Sequence, residues 1–128
     1  ICGKLEMELA QLEPADAKAF MEELGLKELA LERVIRASYD LLGLISFFTT
    51  VSDEVRAWTI PRDTTAQRAA GAVHTDMERG FIRAEIIAFD TLMECGSLAA
   101  AREKGLLRIE GKDYVMQDGD IANFRFKV

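Results

Sequence analysis

The sequence predicts an α+β protein in which an α-helical segment precedes a small domain of β-grasp (ubiquitin-like) type. Hydrophobic residues recur at helical spacing as far as residue 42 and mostly at every second position after it. The elements after residue 42 follow the order strand, strand, helix, strand, hairpin, strand, which suits a mixed sheet crossed by one main helix. We therefore expect a helical segment at 1–42 and a β-grasp domain at 43–128.

Three helices with acidic outer faces are predicted in residues 4–42. Pro14 suits the first turn of the second helix, because its missing N–H has no helical partner there in any case. Gly25 and Gly43 are expected to end the second and third helices. The apolar positions that define the three helices are Leu5, Leu9 and Leu12; Ala17, Phe20, Met21 and Leu24; and Leu31, Val34, Ile35 and Leu42.

Strands are predicted at 44–50 and 54–60, joined through "VSD", and again at 81–88 and 121–128. In the last strand, alternation places Asn123, Arg125 and Lys127 on the face opposite to Ala122 and Phe124. Between these strands, the segment "LLRIEGKDYVM" predicts a hairpin that turns at Gly111, and "QDGD" predicts a turn.

Helix signals in the second half are fewer. Thr64 and Gln67 have the spacing of a capping box, ahead of a helix whose small apolar face ends at Val73. Ser97 is expected to cap a short helix that Gly105 ends. The stretch "HTDMERG" at 74–80 is predicted to be a partly exposed loop at one end of the sheet.

Charge and cysteine content bound the class of function. The chain of 128 residues has a net charge of −6 at pH 7, which disfavours nucleic-acid binding by bulk charge and leaves a local basic face as the alternative. Cys2 and Cys95 have no metal-ligand spacing, and we interpret them as reduced thiols. No apolar run is long enough to span a bilayer.

No catalytic motif and no phosphate-binding loop occur in the sequence. His74, the single histidine, has Asp76 and Glu78 nearby, a set that would suit a metal or an acid–base site, but a turn or surface role is the preferred interpretation. Trp58 is expected in the core, with base stacking as the alternative.

A basic strand face is the remaining candidate site. Arg56, Arg125 and Lys127 would contact phosphates if they shared one face of the sheet. The alternative is an ordinary solvated strand face, and the sequence alone does not pair these strands.

Several strings resemble the C-terminal TGS domain of the YchF branch of the Obg-like P-loop GTPases. They are "ERVIRASYDLLGLISFFT", "EVRAWTIPRDTTAQRAAGAVHTDMERGFIRAEIIAFD" and "GKDYVMQDGDIANFRF". TGS domains are β-grasp modules, so the resemblance implies the fold that the periodicity predicts independently. The stretch "ICGKLE" resembles the last nucleotide-binding element of the preceding G domain, with Cys2, Gly3 and Lys4 at the positions that approach the nucleotide base. Gly3 departs from the alanine usual there.

The resemblance implies a cytoplasmic parent protein that binds ATP or GTP with Mg²⁺ and associates with ribosomes. It also implies that this chain contacts its own G domain, holds no cofactor and hydrolyses no nucleotide itself, because the phosphate cradle is not in it. We therefore expect a module that docks on the ribosome or on RNA, not on DNA or membrane, through His74, Asp76, Arg56, Arg125 and Lys127. A docking surface for protein alone, and an independent enzyme site at His74, Asp76 and Glu78, are the alternatives.

Overall fold

The structure, a computed structural model, describes residues 1–51 and 53–128 and divides into two compact units, Ile1–Leu42 and Gly43–Val128. Ser52, which belongs to the predicted "VSD" connection, lies outside the described residues. None of the helices in the described ranges combines the length and the apolar character needed to cross a membrane.

The first unit contains three helices, α1 (Gly3–Ala10), α2 (Pro14–Glu23) and α3 (Ala30–Leu42), which confirms the prediction for this segment. Pro14 occupies the first turn of α2, as expected. The Glu6 carboxylate accepts a hydrogen bond of 3.0 Å from the Ala30 backbone N–H and so ties α1 to the start of α3. Only Leu9 and Ala30 are buried in the three helices. This unit therefore has little core of its own.

A five-stranded mixed sheet forms the second unit. Its strands are β1 (Leu44–Val51), β2 (Glu54–Pro61), β3 (Phe81–Ala88), β4 (Arg108–Glu110) and β5 (Asp120–Phe126). Their order across the sheet is β2-β1-β5-β3-β4, with β1 and β5 parallel and the other pairs antiparallel. A parallel pair formed by the first and last strands, flanked on both sides by antiparallel neighbours, confirms the β-grasp prediction.

Helix α4 (Ala66–Val73) covers one face of this sheet. Three alanines at helical spacing, Ala66, Ala69 and Ala70, are fully buried, because their small side chains let the helix lie close to the strands. The main core lies between them and Ile45, Phe47, Ile86 and Phe124. The rings of Phe47 and Phe124 meet edge to face at 5.9 Å between centroids, a favoured aromatic geometry.

Two further helices, α6 (Phe89–Cys95) and α7 (Leu98–Glu103), contribute to a smaller cluster on the opposite face. Ile87 and Ile121 belong to it, whereas their neighbours Ile86 and Ala122 belong to the main core, as strand alternation requires. The Ser97 hydroxyl accepts a hydrogen bond of 3.1 Å from the Ala100 N–H, and Gly105 has φ +68°, so the predicted cap and stop of α7 are confirmed. Helix α6 was not predicted.

Two local predictions in the second unit are wrong. The N-cap of α4 is Thr65, without a side-chain cap, while Thr64 donates to the Pro61 carbonyl and the Gln67 amide donates to the Glu78 carbonyl. The capping box therefore does not form. The hairpin at Gly111 does not form either, because β4 pairs with β3, and the chain after Gly111 bonds to the start of α4.

The stretch "HTDMERG" is also not a loop. Residues Thr75–Arg79 form a one-turn helix, α5, between His74 and Gly80. His74 is both the C-cap residue of α4 and the N-cap residue of α5, and it adopts an extended backbone conformation with φ −161° and ψ 141°. The extended residue His74 thus separates α4 from α5, and α5 contacts the strands β5 and β3.

Candidate nucleic-acid interface

An open groove of about 500 Å³ lies on the α4 face of the sheet, lined by residues of β1 and β2 and by the segment that follows α4. Strand residues Arg56 and Trp58 line one part of it, and Phe126 at the end of β5 lines another. Residues His74, Asp76 and Met77 of the α5 region complete the wall. Three of the five residues predicted to bind RNA, Arg56, His74 and Asp76, therefore come together in one groove.

The His74 imidazole is held by the backbone that follows it. Its Nδ1 accepts a hydrogen bond of 3.0 Å from the Asp76 N–H, and the Asp76 carboxylate lies 3.7 Å from the same nitrogen. A ring nitrogen that accepts carries no proton, so the neutral ring has its proton on Nε2. The His74 side chain is 61% exposed, which leaves this N–H able to donate to a ligand.

Arg56 and Trp58 form a layered pair on β2. The guanidinium carbon of Arg56 lies 5.8 Å from the centroid of the indole ring, within the range of a cation–π contact. The indole N–H donates to the Thr49 hydroxyl at 2.9 Å, which fixes the ring, and Arg56 Nε lies 3.4 Å from the Glu54 carboxylate. Trp58 is half-buried against the main core, so it is both a packing residue and a wall of the groove.

Arg56 and Arg125 do not share a sheet face, so the condition for a joint phosphate contact by these two residues is not met. Arg56 pairs with Thr49, and Thr49 pairs with Ala122, which places Arg56 on the α4 face. Arg125 follows Phe124 of that face and therefore lies on the opposite face. Lys127 lies beyond the end of β5, where its backbone N–H donates to the Gly80 carbonyl at 2.9 Å and its side chain is exposed.

The alternative acid–base or metal cluster at His74 is not assembled. The Glu78 carboxylate lies against Gly71 of α4, where a Cβ atom at Gly71 would collide with it. Within 1–51 and 53–128, no three His, Cys, Asp or Glu side chains are arranged so that they could hold a metal ion. Cys2 and Cys95 are free thiols.

Sequence inspection missed a polar network beneath the loop that precedes β5. Asp120 is 2% exposed, and its carboxylate accepts from the Tyr114 hydroxyl at 2.8 Å and the Gln117 N–H at 3.0 Å. Arg108 donates to the Tyr114 hydroxyl at 3.3 Å and lies over its ring. Burial, and then the hydrogen bond to Asp120, raise the pKa of Tyr114. The hydrogen bond between Arg108 and Tyr114 raises the pKa of Arg108. The sequence signal that could have indicated this network is the "DGD" turn at 118–120, in which Asp118 is exposed and Asp120 is buried.

Cys2, Gly3 and Lys4 lie exposed at the start of α1. A Cβ atom at Gly3 would meet no atom within 4 Å, so packing within the described residues does not require glycine there. The assignment of these three residues to a base-binding loop stays a prediction.

The sheet order and the groove define a β-grasp module of TGS type with an open surface beside α5. Residues 44–127 match the model of the YchF-GTPase C-terminal family, described as a protein of unknown function (DUF933). The chain belongs to this family.

Curated relatives extend well beyond this chain. It is 50% identical over 128 residues to the ribosome-binding ATPase YchF of Bacillus subtilis, and 49% identical to that of Pasteurella multocida. Each match covers the whole of this chain and 35% of the relative. The chain therefore spans about a third of the length of the curated relatives it matches.

Solved structures show the same fold. The YchF GTPase of Schizosaccharomyces pombe superposes with a TM-score of 0.81 at 36% identity, over 92% of this chain and 31% of the other. A GTP-binding protein from Pyrococcus horikoshii superposes with a TM-score of 0.51 at 27% identity, over 75% of this chain and 24% of the other.

Proposed function

We propose that Gly43–Val128 is the ribosome-docking module of a cytoplasmic ATP- or GTP-hydrolysing protein and that it contacts RNA through the groove beside α5. One observation carries the proposal: Arg56 and Trp58 of β2 line one open groove together with His74 and Asp76, which come from a separate segment of the chain. The names of the bacterial relatives, ribosome-binding ATPases, support the ribosome as the partner.

The groove suits an unpaired base better than a phosphate. Its charged groups are one guanidinium, from Arg56, and two carboxylates, from Glu54 and Asp76, so its net charge is unfavourable for a phosphate. A base would stack on the outer face of the Arg56 guanidinium, which already lies over Trp58. The His74 Nε2–H would donate to the edge of that base, and Asp76 would accept from an amino group.

The first unit is proposed to contact the nucleotide-binding domain of the same protein. Leu31, Val34 and Ile35 are one face of α3, and each is at least half exposed. Apolar residues repeated along one helix face are typical of a surface that another domain covers. By the same proposal, backbone N–H groups at Cys2 and Gly3 approach the nucleotide base, with the Mg²⁺ and phosphate sites outside this chain.

The groove is tested with two substitutions that preserve the fold. His74→Asn keeps a side-chain oxygen that can cap α5 but removes the imidazole N–H. Arg56→Gln removes the stacking plane and leaves Trp58 in place. The double variant of the full-length gene product should bind purified ribosomes about ten- to a hundredfold more weakly, since base stacking and one hydrogen bond together are worth roughly 1.5–3 kcal/mol.

Arg68→Gln is the matched control, because Arg68 is exposed on α4 and does not line the groove. Its affinity for ribosomes should equal that of the wild type, and nucleotide turnover without ribosomes should be unchanged in all variants. Co-sedimentation before and after RNase treatment identifies the partner: capture lost on RNase treatment supports RNA, whereas RNase-resistant capture supports the protein-docking alternative. Wild-type affinity in a correctly folded double variant would exclude the groove.

A further inference from the structure

We propose that Arg83, Arg102 and Arg125, on the sheet face opposite to the groove, form a binding surface for RNA backbone phosphates. This inference rests on the proposed RNA-docking function and deepens it, because it assigns base contacts and phosphate contacts to different faces of the same module.

Two of the three arginines are direct neighbours across adjacent strands. Arg83 of β3 pairs with Arg125 of β5, so their side chains leave the sheet on the same face. Like charges placed directly opposite each other on a sheet are destabilising unless a counter-charge lies between them. Arg102 of α7 extends over the same face, since its guanidinium reaches Glu85, the next residue of β3 on this side.

Glu85 is a carboxylate shared by two of these arginines. Arg125 Nε lies 3.4 Å from its Oε1, and Arg102 lies 3.6 Å from its Oε2. Its Oε2 is buried and has no hydrogen-bond partner among the described residues, so the Arg102 contact is loose. Arg83 forms no ion pair with any residue in the described ranges. Three guanidinium groups therefore face one carboxylate.

The exposed guanidinium groups fit a polyanion. The side chains of Arg102 and Arg125 are 67% and 49% exposed, and Arg83 is exposed as well. Each planar guanidinium can donate two parallel hydrogen bonds to a phosphate. In a chain of net charge −6, a local surplus of positive charge is what an RNA backbone requires, and the groove does not supply it.

The two faces meet near the end of β5. Arg125 belongs to the phosphate face and Phe126, its neighbour, lines the groove. A single-stranded segment that crosses this end of the sheet would present its backbone to one face and a base to the other.

Salt dependence separates phosphate contacts from other contacts. The affinity of the full-length gene product for purified ribosomes is measured at KCl concentrations between about 50 and 300 mM. Each lost phosphate contact should reduce the slope of log affinity against log salt by about 0.7–0.9, and weaken binding about five- to tenfold near 0.1 M salt. Arg83→Gln tests this most directly, because Arg83 has no ion pair whose loss would disturb the fold.

Glu85→Gln should change ribosome affinity in the opposite direction to the arginine substitutions. It removes the carboxylate that neutralises Arg102 and Arg125, so it should tighten binding and steepen the salt slope. A merely structural role for Glu85 would weaken binding instead. Arg68→Gln, on the α4 face, removes the same charge from the other side of the sheet and should leave the slope unchanged.

The outcomes also separate this inference from the proposed function. If Arg83→Gln and Arg102→Gln melt like the wild type and keep its salt slope while the groove variants bind weakly, the phosphate surface is wrong and RNA docking stands. If the wild type does not bind ribosomes or deproteinised ribosomal RNA at all, the docking function itself fails. A lower slope for Arg83→Gln, with a steeper one for Glu85→Gln, supports the phosphate surface.

Discussion

Asp120 is a deeply buried charged side chain, and Tyr114 satisfies it. The Tyr114 hydroxyl and the Gln117 N–H donate to the carboxylate from the loop that precedes β5. Because one hydrogen bond to a carboxylate is worth about 1.5–3 kcal/mol, Tyr114→Phe should lower the free energy of unfolding by roughly that amount, although the Gln117 N–H still donates to Asp120. Urea denaturation near pH 7 measures the loss, and a variant with wild-type stability would show that solvent replaces the hydroxyl at no cost.

The Tyr114 side chain also predicts that the free energy of unfolding falls at alkaline pH. The pKa of Tyr114 is raised above the ordinary 10.0 in the folded chain, so the folded state retains a proton that the unfolded state releases. The contribution of Tyr114 to the free energy of unfolding is complete below about pH 10 and is lost as the pH rises through the raised pKa. Denaturation between pH 8 and 11 should therefore show that the difference in the free energy of unfolding between wild type and Tyr114→Phe becomes smaller above about pH 10. A difference that stays constant would contradict the raised pKa of Tyr114.

The connection between α5 and β3 depends on Gly80. Its carbonyl accepts from the Lys127 N–H at 2.9 Å, and a Cβ atom at residue 80 would overlap the Lys127 carbonyl. The backbone of Gly80 has φ −95°, so close approach, and not a left-handed conformation, is what excludes a side chain. This contact holds the end of the chain beside the groove.

Gly80→Ala is therefore expected to destabilise the second unit by about 1–3 kcal/mol, as overpacking of a fixed backbone contact does. Gly111→Ala is the matched control, since a Cβ atom there would meet nothing within 4 Å. Thermal unfolding of the two variants should differ by several degrees. Equal melting temperatures would show that the Lys127 backbone moves without cost.

The second unit contains both hydrophobic clusters of the described residues, whereas α1, α2 and α3 bury only Leu9 and Ala30. A unit with its own core should fold alone, so a fragment of residues 43–128 should melt cooperatively. Limited proteolysis of the 128-residue chain should cut the helical unit first and leave a stable product that begins near residues 40–45. Equal resistance of both parts would indicate one fused domain.

The sequence by itself determined the elements whose signals are local. The change from helical to alternating periodicity near Gly43, the proline at the start of α2 and the Ser97 cap each depend on residues within one or two turns of one another. Such patterns predicted the three helices, the long strands and the β-grasp class. The family strings, which run through most of the chain, indicated the same fold and the family that the comparisons then showed.

Tertiary structure decided which side chains share a surface. The central pairing of β1 with β5 joins residues about 70 positions apart, and a shift of one residue in such a register would move every side chain to the other face. No local pattern specifies that register, so the sequence could not separate Arg56 from Arg125 or bring Arg83 beside Arg125. The same reason explains β4, which pairs with β3 instead of folding back at Gly111. Local residues determine whether a segment forms a strand, but packing of the whole sheet determines which strand it pairs with.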